Sequence, residues 1–344
     1  METRTIPIIY ALLAAVFYAI NTPLSKLLLA DVPVTFMAAY LYLGAGIGVG
    51  LLYVLHGRKG EKPGRLTKKE LPYTLGMILL DILAPIFLML GIKYGTAANA
   101  SLLGNFEIVA TTLMALVIFK ETVSRRLWTA IALITLSSII LSFEGAGSFR
   151  FSYGSLFVLL ATACWGLENN CTRSISHKST YEIVFLKGIF SGGGSFVIAL
   201  MIGETLPEPY YAFLVMLLGF VSYGLSIFLY IRAQRSLGAA KTSAYYAVAP
   251  FVGAFLSFVL IGEKLTWVYF AALLIMMAGT VFVVIDTIAR SHVHLHQHTF
   301  THMHDGIVHT HTIVHTHGHE HYAAADRHNH HHERAELEAA VKRY

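Results

Sequence analysis

The sequence predicts an all-α polytopic membrane protein with ten transmembrane helices, arranged as two inverted five-helix repeats. Three observations carry that reading: an apolar composition, ten separable apolar runs, and an internal duplication. Of the 344 residues, 56% are hydrophobic and 13% are charged, where soluble domains carry about 25% charged residues. So few charges cannot cover that much apolar surface in water, whereas a lipid-embedded fold has an apolar exterior. The net charge of +5 is read through its placement in loops. Nucleic acid is therefore not an expected partner.

Crossing the hydrocarbon takes about 20 apolar residues. Ten runs qualify: 6–29, 34–55, 71–93, 97–119, 126–143, 153–173, 182–203, 210–231, 239–261 and 267–289. The first follows the basic Arg4, but it is longer than the apolar core of a signal peptide and has no clear cleavage site. It is therefore read as a helix. The linker 56–70, HGRKGEKPGRLTKKE, is plainly aqueous. Even-numbered loops and both termini hold most of the lysines and arginines, while the opposite face has only Lys93, Arg150 and Lys264. The positive-inside rule then expects both termini in the cytoplasm of a cell with a plasma or inner membrane. Cys164 and Cys171 share one run and one helix face, so they are expected to pack rather than to bridge.

The duplication is seen at fixed spacing. Ala97, Ala98, Ser101, Val117 and Glu121 recur 142 positions later as Ala239, Ala240, Ser243, Val259 and Glu263. Tyr18-Ala19 aligns with Trp165-Gly166, and Lys26 with Arg173. Five spans per copy is an odd number, so the second copy enters the membrane from the other side. Inverted repeats of this kind are a common ground plan of secondary transporters, with the substrate site near the midplane between them. Three regions follow: a first repeat over 1–145, a second over 146–290, and a disordered cytoplasmic tail over 291–344.

Ala239-Ala240, Pro250, Gly262-Glu263-Lys264-Leu265 and the final span with Gly279 together resemble the second EamA repeat of the drug/metabolite transporter superfamily. Ala97-Ala98 and Glu121 resemble the first. The resemblance covers about residues 6–289 and implies ten helices and export of amino acids or other small metabolites. It departs at one point: where the pattern has a proline before the helix-end glutamate, the first half has Ile108, preceded by Glu107.

An ionised side chain at the bilayer centre costs about 2.5–3.5 kcal/mol or more, so such residues are expected to have a role. Glu107, near Asn105, is expected to centre a polar cavity and to carry a coupling proton, with Asp81 as the second candidate. Glu168 is expected to hold a substrate ammonium or to pair with Lys187. Asn21, just before Pro23, and Pro250 mark helix breaks that free backbone groups. Trp165, Tyr245 and Tyr246, with Tyr18, are candidates for an aromatic wall. The alternative is that these groups pair with each other and set helix register. The glycines at 44, 46, 48 and 50 and at 192–194 follow no strand, so they indicate close helix packing rather than a nucleotide loop.

Sixteen of the eighteen histidines follow Arg290. They alternate with other residues as His292, His294, His296 and His298, then His302 and His304, His309 and His311, and His315, His317, His319 and His321. Neutral imidazole at this spacing suits divalent zinc, nickel or copper, with affinity falling below about pH 6.5. Three functions are open: a metabolite exporter, a divalent-metal transporter with the tail as collector, and a membrane metal sensor without flux. No Ser/His/Asp set, phosphate loop or HExxH motif is present in the sequence. An enzyme is not expected, nor is a required cofactor. The expected partners are the lipid bilayer, a small-molecule substrate and divalent metal ions.

Overall fold

In lipid a backbone N–H has no water to meet, so uninterrupted runs of Leu, Ala, Val and Ile satisfy themselves as helices. The computed structural model describes residues 5–56, 66–119, 123–144, 150–175, 178–237, 242, 245–264, 266–290, 293–304 and 307–318. Two units are resolved, Met1–Val284 and Ile285–Tyr344.

The helices are α1 (Thr5–Ala19), α2 (Asn21–Leu28), α3 (Val34–His56), α4 (Leu71–Tyr94), α5 (Ala97–Leu103), α6 (Phe106–Phe119) and α7 (Arg125–Ser142). After a short hairpin, β1 (Phe143–Glu144) paired antiparallel with β2 (Arg150–Phe151), come α8 (Tyr153–Ile175), α9 (Thr180–Leu186) and α10 (Gly192–Met201). They are followed by α11 (Pro209–Gly219), α12 (Ser226–Leu237), α13 (Ala249–Ile261) and α14 (Trp267–Arg290).

Eight helical stretches among the described residues are long and apolar enough to cross a membrane. Two of the ten runs read from sequence fall outside that set, for different reasons. The helix α8 is long but carries Glu168, Asn169, Asn170 and Arg173, which lower its hydropathy. The helix α13 is apolar but has only 13 residues, with 238–241 and 243–244 outside the described residues. His56, expected in a loop, is the last residue of α3.

Several of these runs are not continuous α-helix. The first divides at Ile20, and Pro23 then sits in the first turn of α2, where its missing N–H removes no helix bond. The fourth divides at Gly104-Asn105 between α5 and α6. Pro250 does not kink a running helix but starts α13. Wide π-helical turns at Lys187–Ser191 and Phe220–Leu225 join α9 to α10 and α11 to α12.

Packing crosses between the two halves of the sequence. α4 lies along α8, α1 along α12, α6 along α8, α1 along α13, and α5 along α13. α3 lies against α10 and α11. Glycine permits this closeness, because a Cβ at Gly44 would strike the backbone of Met216, and one at Gly188 the backbone of Gly46. Phe36, Met37, Leu41, Met89, Leu102 and Leu103 are fully buried within one core. Val54, Val117 and Trp267 are exposed by more than two thirds, as suits a surface solvated by lipid chains.

In the second unit, β3 (Val293–His304) pairs antiparallel with β4 (Ile307–Gly318). The tail was expected to be without fixed structure, yet this part of its backbone is paired. Val, Leu, Ile and Thr alternate with the histidines here, which is a strand pattern. His292, His319, His321 and the later histidines lie outside the described residues.

Candidate functional site

The first unit buries ionisable groups where lipid-facing helices have none. Asp81 sits mid-way along α4 and is fully buried. Lys187 opens the first π-helical turn, and its ammonium lies 3.1 Å from Asp81 Oδ2 and 3.0 Å from Glu168 Oε1. Glu168, on α8, is 2% exposed. One lysine from the second half thus bridges a carboxylate from each half. Thr172, a turn further along α8, donates its hydroxyl to Glu168.

Aromatic side chains close round this bridge. The Tyr42 hydroxyl donates to Asp81 Oδ1 at 2.9 Å and accepts from the Trp165 indole N–H at 3.4 Å. The Tyr223 ring lies 5.3 Å from that of Tyr42 and 5.9 Å from that of Tyr18, and Tyr246 packs on Tyr18 at 5.9 Å. Asn21, at the break in the first run, donates to the Tyr223 hydroxyl at 3.3 Å and accepts from Ser25 at 3.2 Å.

Glu107 occupies a neighbouring position in the first turn of α6. Asn169 donates to its Oε1 at 2.6 Å and reaches Thr111 Oγ1 at 3.4 Å. Asn170 bonds to the carbonyls of Gly166 and Thr111. Since Glu168 and Asn169 are adjacent, α8 connects the two acidic positions. Asp81 and Glu168 share the one ammonium of Lys187, while Glu107 is met by the Asn169 amide, so among the described residues of this cluster acidic groups outnumber basic ones.

Of the residues singled out from sequence, Asp81, Glu168, Lys187 and Trp165 are brought together. Glu107 lies beside them through α8, and Asn21 and Tyr246 join through the tyrosines. Asn105 is buried at the α5–α6 break, and its Nδ2 has no hydrogen-bond partner among the described residues. Tyr245 is 37% exposed and does not share the burial of Tyr246's neighbours. The sequence reading missed Tyr42 and Tyr223. The spacing of 142 that relates Glu121 to Glu263 also carries Asp81 onto Tyr223, so the repeat held the signal for one of them. Tyr42 lies in an apolar, glycine-rich run with no charge to draw attention to it.

A second set of charges acts on helix ends. Glu263 accepts from the N–H groups of Ala97 and Ala98 at 2.7 and 2.8 Å, capping α5. Glu204 accepts from the N–H groups of Thr35 and Phe36 at 3.0–3.1 Å, at the start of α3. Lys26 donates to the carbonyls of Ile92 at 2.6 Å and Gly95 at 2.7 Å, at the end of α4. These are the orphan groups of helix termini, met by charges of matching sign. Elsewhere Glu70 accepts from the Thr67 hydroxyl and N–H and meets Lys178 at 3.3 Å. The Thr67 hydrogen bonds hold its carboxyl down to about 2.

Helices of membrane-spanning length, packed across two halves around a buried polar cluster, define an integral membrane protein with its polar chemistry inside the bundle. The sequence profile of the EamA-like transporter family matches the chain twice, over residues 5–143 and 152–285. The chain belongs to the EamA-like transporter family, and it is a multi-pass membrane protein of the lipid bilayer. It is 28% identical over 285 residues to an uncharacterized transporter of Methanothermobacter thermautotrophicus, covering 77% of this chain and 82% of that one. It is 22% identical over 225 residues to the uncharacterized transporter YyaM of Bacillus subtilis, covering 60% and 71%. A solved protein crystal structure superposes with a TM-score of 0.61 at 15% identity, covering 82% of this chain and 97% of that one. That likeness speaks for the fold alone.

Proposed function

We propose that the protein is a ten-span secondary transporter that exports small metabolites such as amino acids, by alternating access at the Asp81–Lys187–Glu168 cluster. The observation that carries this reading is the bridge itself. A buried charged cluster shared between halves is costly, and it lies where relative motion of the halves would open and close it.

The packing supports two repeats inserted in opposite senses. Exchanging the halves turns the α1–α12 contact into the α8–α4 contact, and the α1–α13 contact into that of α8 with α6. The double family match agrees with the duplication. In this reading the acidic excess is balanced by a proton or by a cationic group of the substrate, with Glu107 as the proton carrier. Both termini lie in the cytoplasm of a plasma or inner membrane.

Flux in proteoliposomes under an imposed pH gradient tests the proposal, with an amino-acid panel and with zinc and nickel as alternative cargo. Amino-acid flux accelerated by the gradient is expected, with the acceleration lost in Glu107→Gln. Full gradient-driven flux in that variant would remove Glu107 as the carrier. Flux of metal but not of metabolites would overturn the substrate class.

A further inference from the structure

Charge is paired unevenly inside the bundle. The ammonium of Lys187 is held by two carboxylates at once, at 3.1 and 3.0 Å, whereas among the described residues no cationic side chain pairs with Glu107. Glu107 Oε1 accepts from the Asn169 amide at 2.6 Å, and among the described residues its Oε2 accepts nothing. Glu107 is only half-buried, as are Asn169, Tyr18 and Tyr246. Tyr18, Tyr223 and Tyr246 are its electrostatic neighbours, and the rings of Tyr223 and Tyr246 each lie 5.9 Å from that of Tyr18. These neighbours place the carboxylate inside the bundle, beside aromatic rings. Two positions earlier, the buried Asn105 keeps its Nδ2 without a hydrogen-bond partner among the described residues. One acceptor and one donor are thus left over at the α5–α6 break. The repeat does not require this acid. The spacing of 142 carries Glu107 onto Ala249, which begins α13 with no carboxylate in its first turn.

We infer that Glu107, walled by Tyr18, Tyr223 and Tyr246, is the subsite for an ammonium group of the cargo, and that the cargo is an amine of net positive charge, a diamine or a basic amino acid. This inference rests on the transport reading and narrows its cargo. A buried carboxylate without a cation is costly, and an ammonium that donates hydrogen bonds to it removes that cost. Tyrosine rings attract the same group through their faces. An anionic cargo would meet no free cation in the cluster, because Lys187 is already held by Asp81 and Glu168. A neutral zwitterion would pair its ammonium with Glu107 but bring in a carboxylate, for which the break offers one neutral donor, Asn105 Nδ2. A second ammonium on the cargo offsets that carboxylate in the field of the acidic excess. An amine with no carboxylate leaves nothing to offset.

The test varies charge on one carbon skeleton. Cadaverine, lysine, norleucine and 2-aminoadipate run from doubly positive to singly negative near neutral pH. Binding of each to the full-length protein in nanodiscs is measured by isothermal titration calorimetry, without any ion gradient. Flux of each is measured separately in proteoliposomes. Affinity is expected to fall in that order, with lysine bound about tenfold more tightly than norleucine, the scale of one charge-assisted hydrogen bond. Glu107→Gln is expected to flatten the order, and Glu107→Asp, which keeps the charge, to retain it. Norleucine bound as tightly as lysine, no binding of any of the compounds, or an order unchanged in Glu107→Gln would overturn the inference. Flux of the whole series without regard to charge would also overturn it, while leaving the transport reading in place. Charge-ordered binding with no flux of any member would support the subsite and remove the transport reading.

Discussion

At the residue scale, Lys187 joins two buried carboxylates. Its ammonium holds Asp81 and Glu168 at 3.1 and 3.0 Å, and removing one partner of a buried pair costs about 3–5 kcal/mol. Lys187→Met is expected to destabilise the folded bundle by that order, and adding Asp81→Asn to restore part of the loss. Thermal unfolding in nanodiscs checks it, and a double variant no more stable than the single one would count against the bridge. The sequence exposed the ionisable members of this cluster because charge within an apolar run is conspicuous. It did not expose Tyr42, because a tyrosine in an apolar run has the same local pattern whether it meets lipid or a carboxylate. The distinction is made by partners far away in sequence.

At the element scale, helix starts in the first half are capped from the second. The two hydrogen bonds from Ala97 and Ala98 to Glu263 are charge-assisted and favourably placed at a helix start. Loss of such a cap costs about 0.5–2 kcal/mol. Glu263→Ala and Glu204→Ala are each expected to lower stability by about 1–2 kcal/mol, with Glu263→Gln milder because an amide oxygen still accepts one bond. Chemical unfolding of each variant measures this. Eight of the ten expected spans were legible among the described residues, since length and apolarity set them. The internal breaks were legible only in part. Asn21-Thr22-Pro23 and Pro250 announced theirs, while Gly104-Asn105 and the two π-helical turns arise from packing that no local pattern encodes.

At the scale of the whole molecule, the spacing of 142 suggests a duplication, and the family profile matches two segments, 5–143 and 152–285. The tail was harder to read. Its alternating histidines were visible, but the pairing of β3 with β4 depends on the register of two strands, which no local pattern sets. The proposed inverted insertion makes a prediction of its own. After Cys164 and Cys171 are replaced by serine, single cysteines at Lys68 and at Lys264 are expected to react with a membrane-impermeant maleimide from opposite sides of a sealed vesicle. Labelling of both from one side would exclude it.

The glutamate caps also impose an order on biosynthesis. Ala97 and its cap Glu263 are separated by 166 positions, and Thr35 and Glu204 by 169. A ribosome adds about 5–20 residues per second, so α5 enters the bilayer on the order of ten to thirty seconds before its capping carboxylate exists. Until then its first donors have only water, headgroups or a membrane insertase for company. The first half is therefore an unfinished object when it is made, and it is completed by the second.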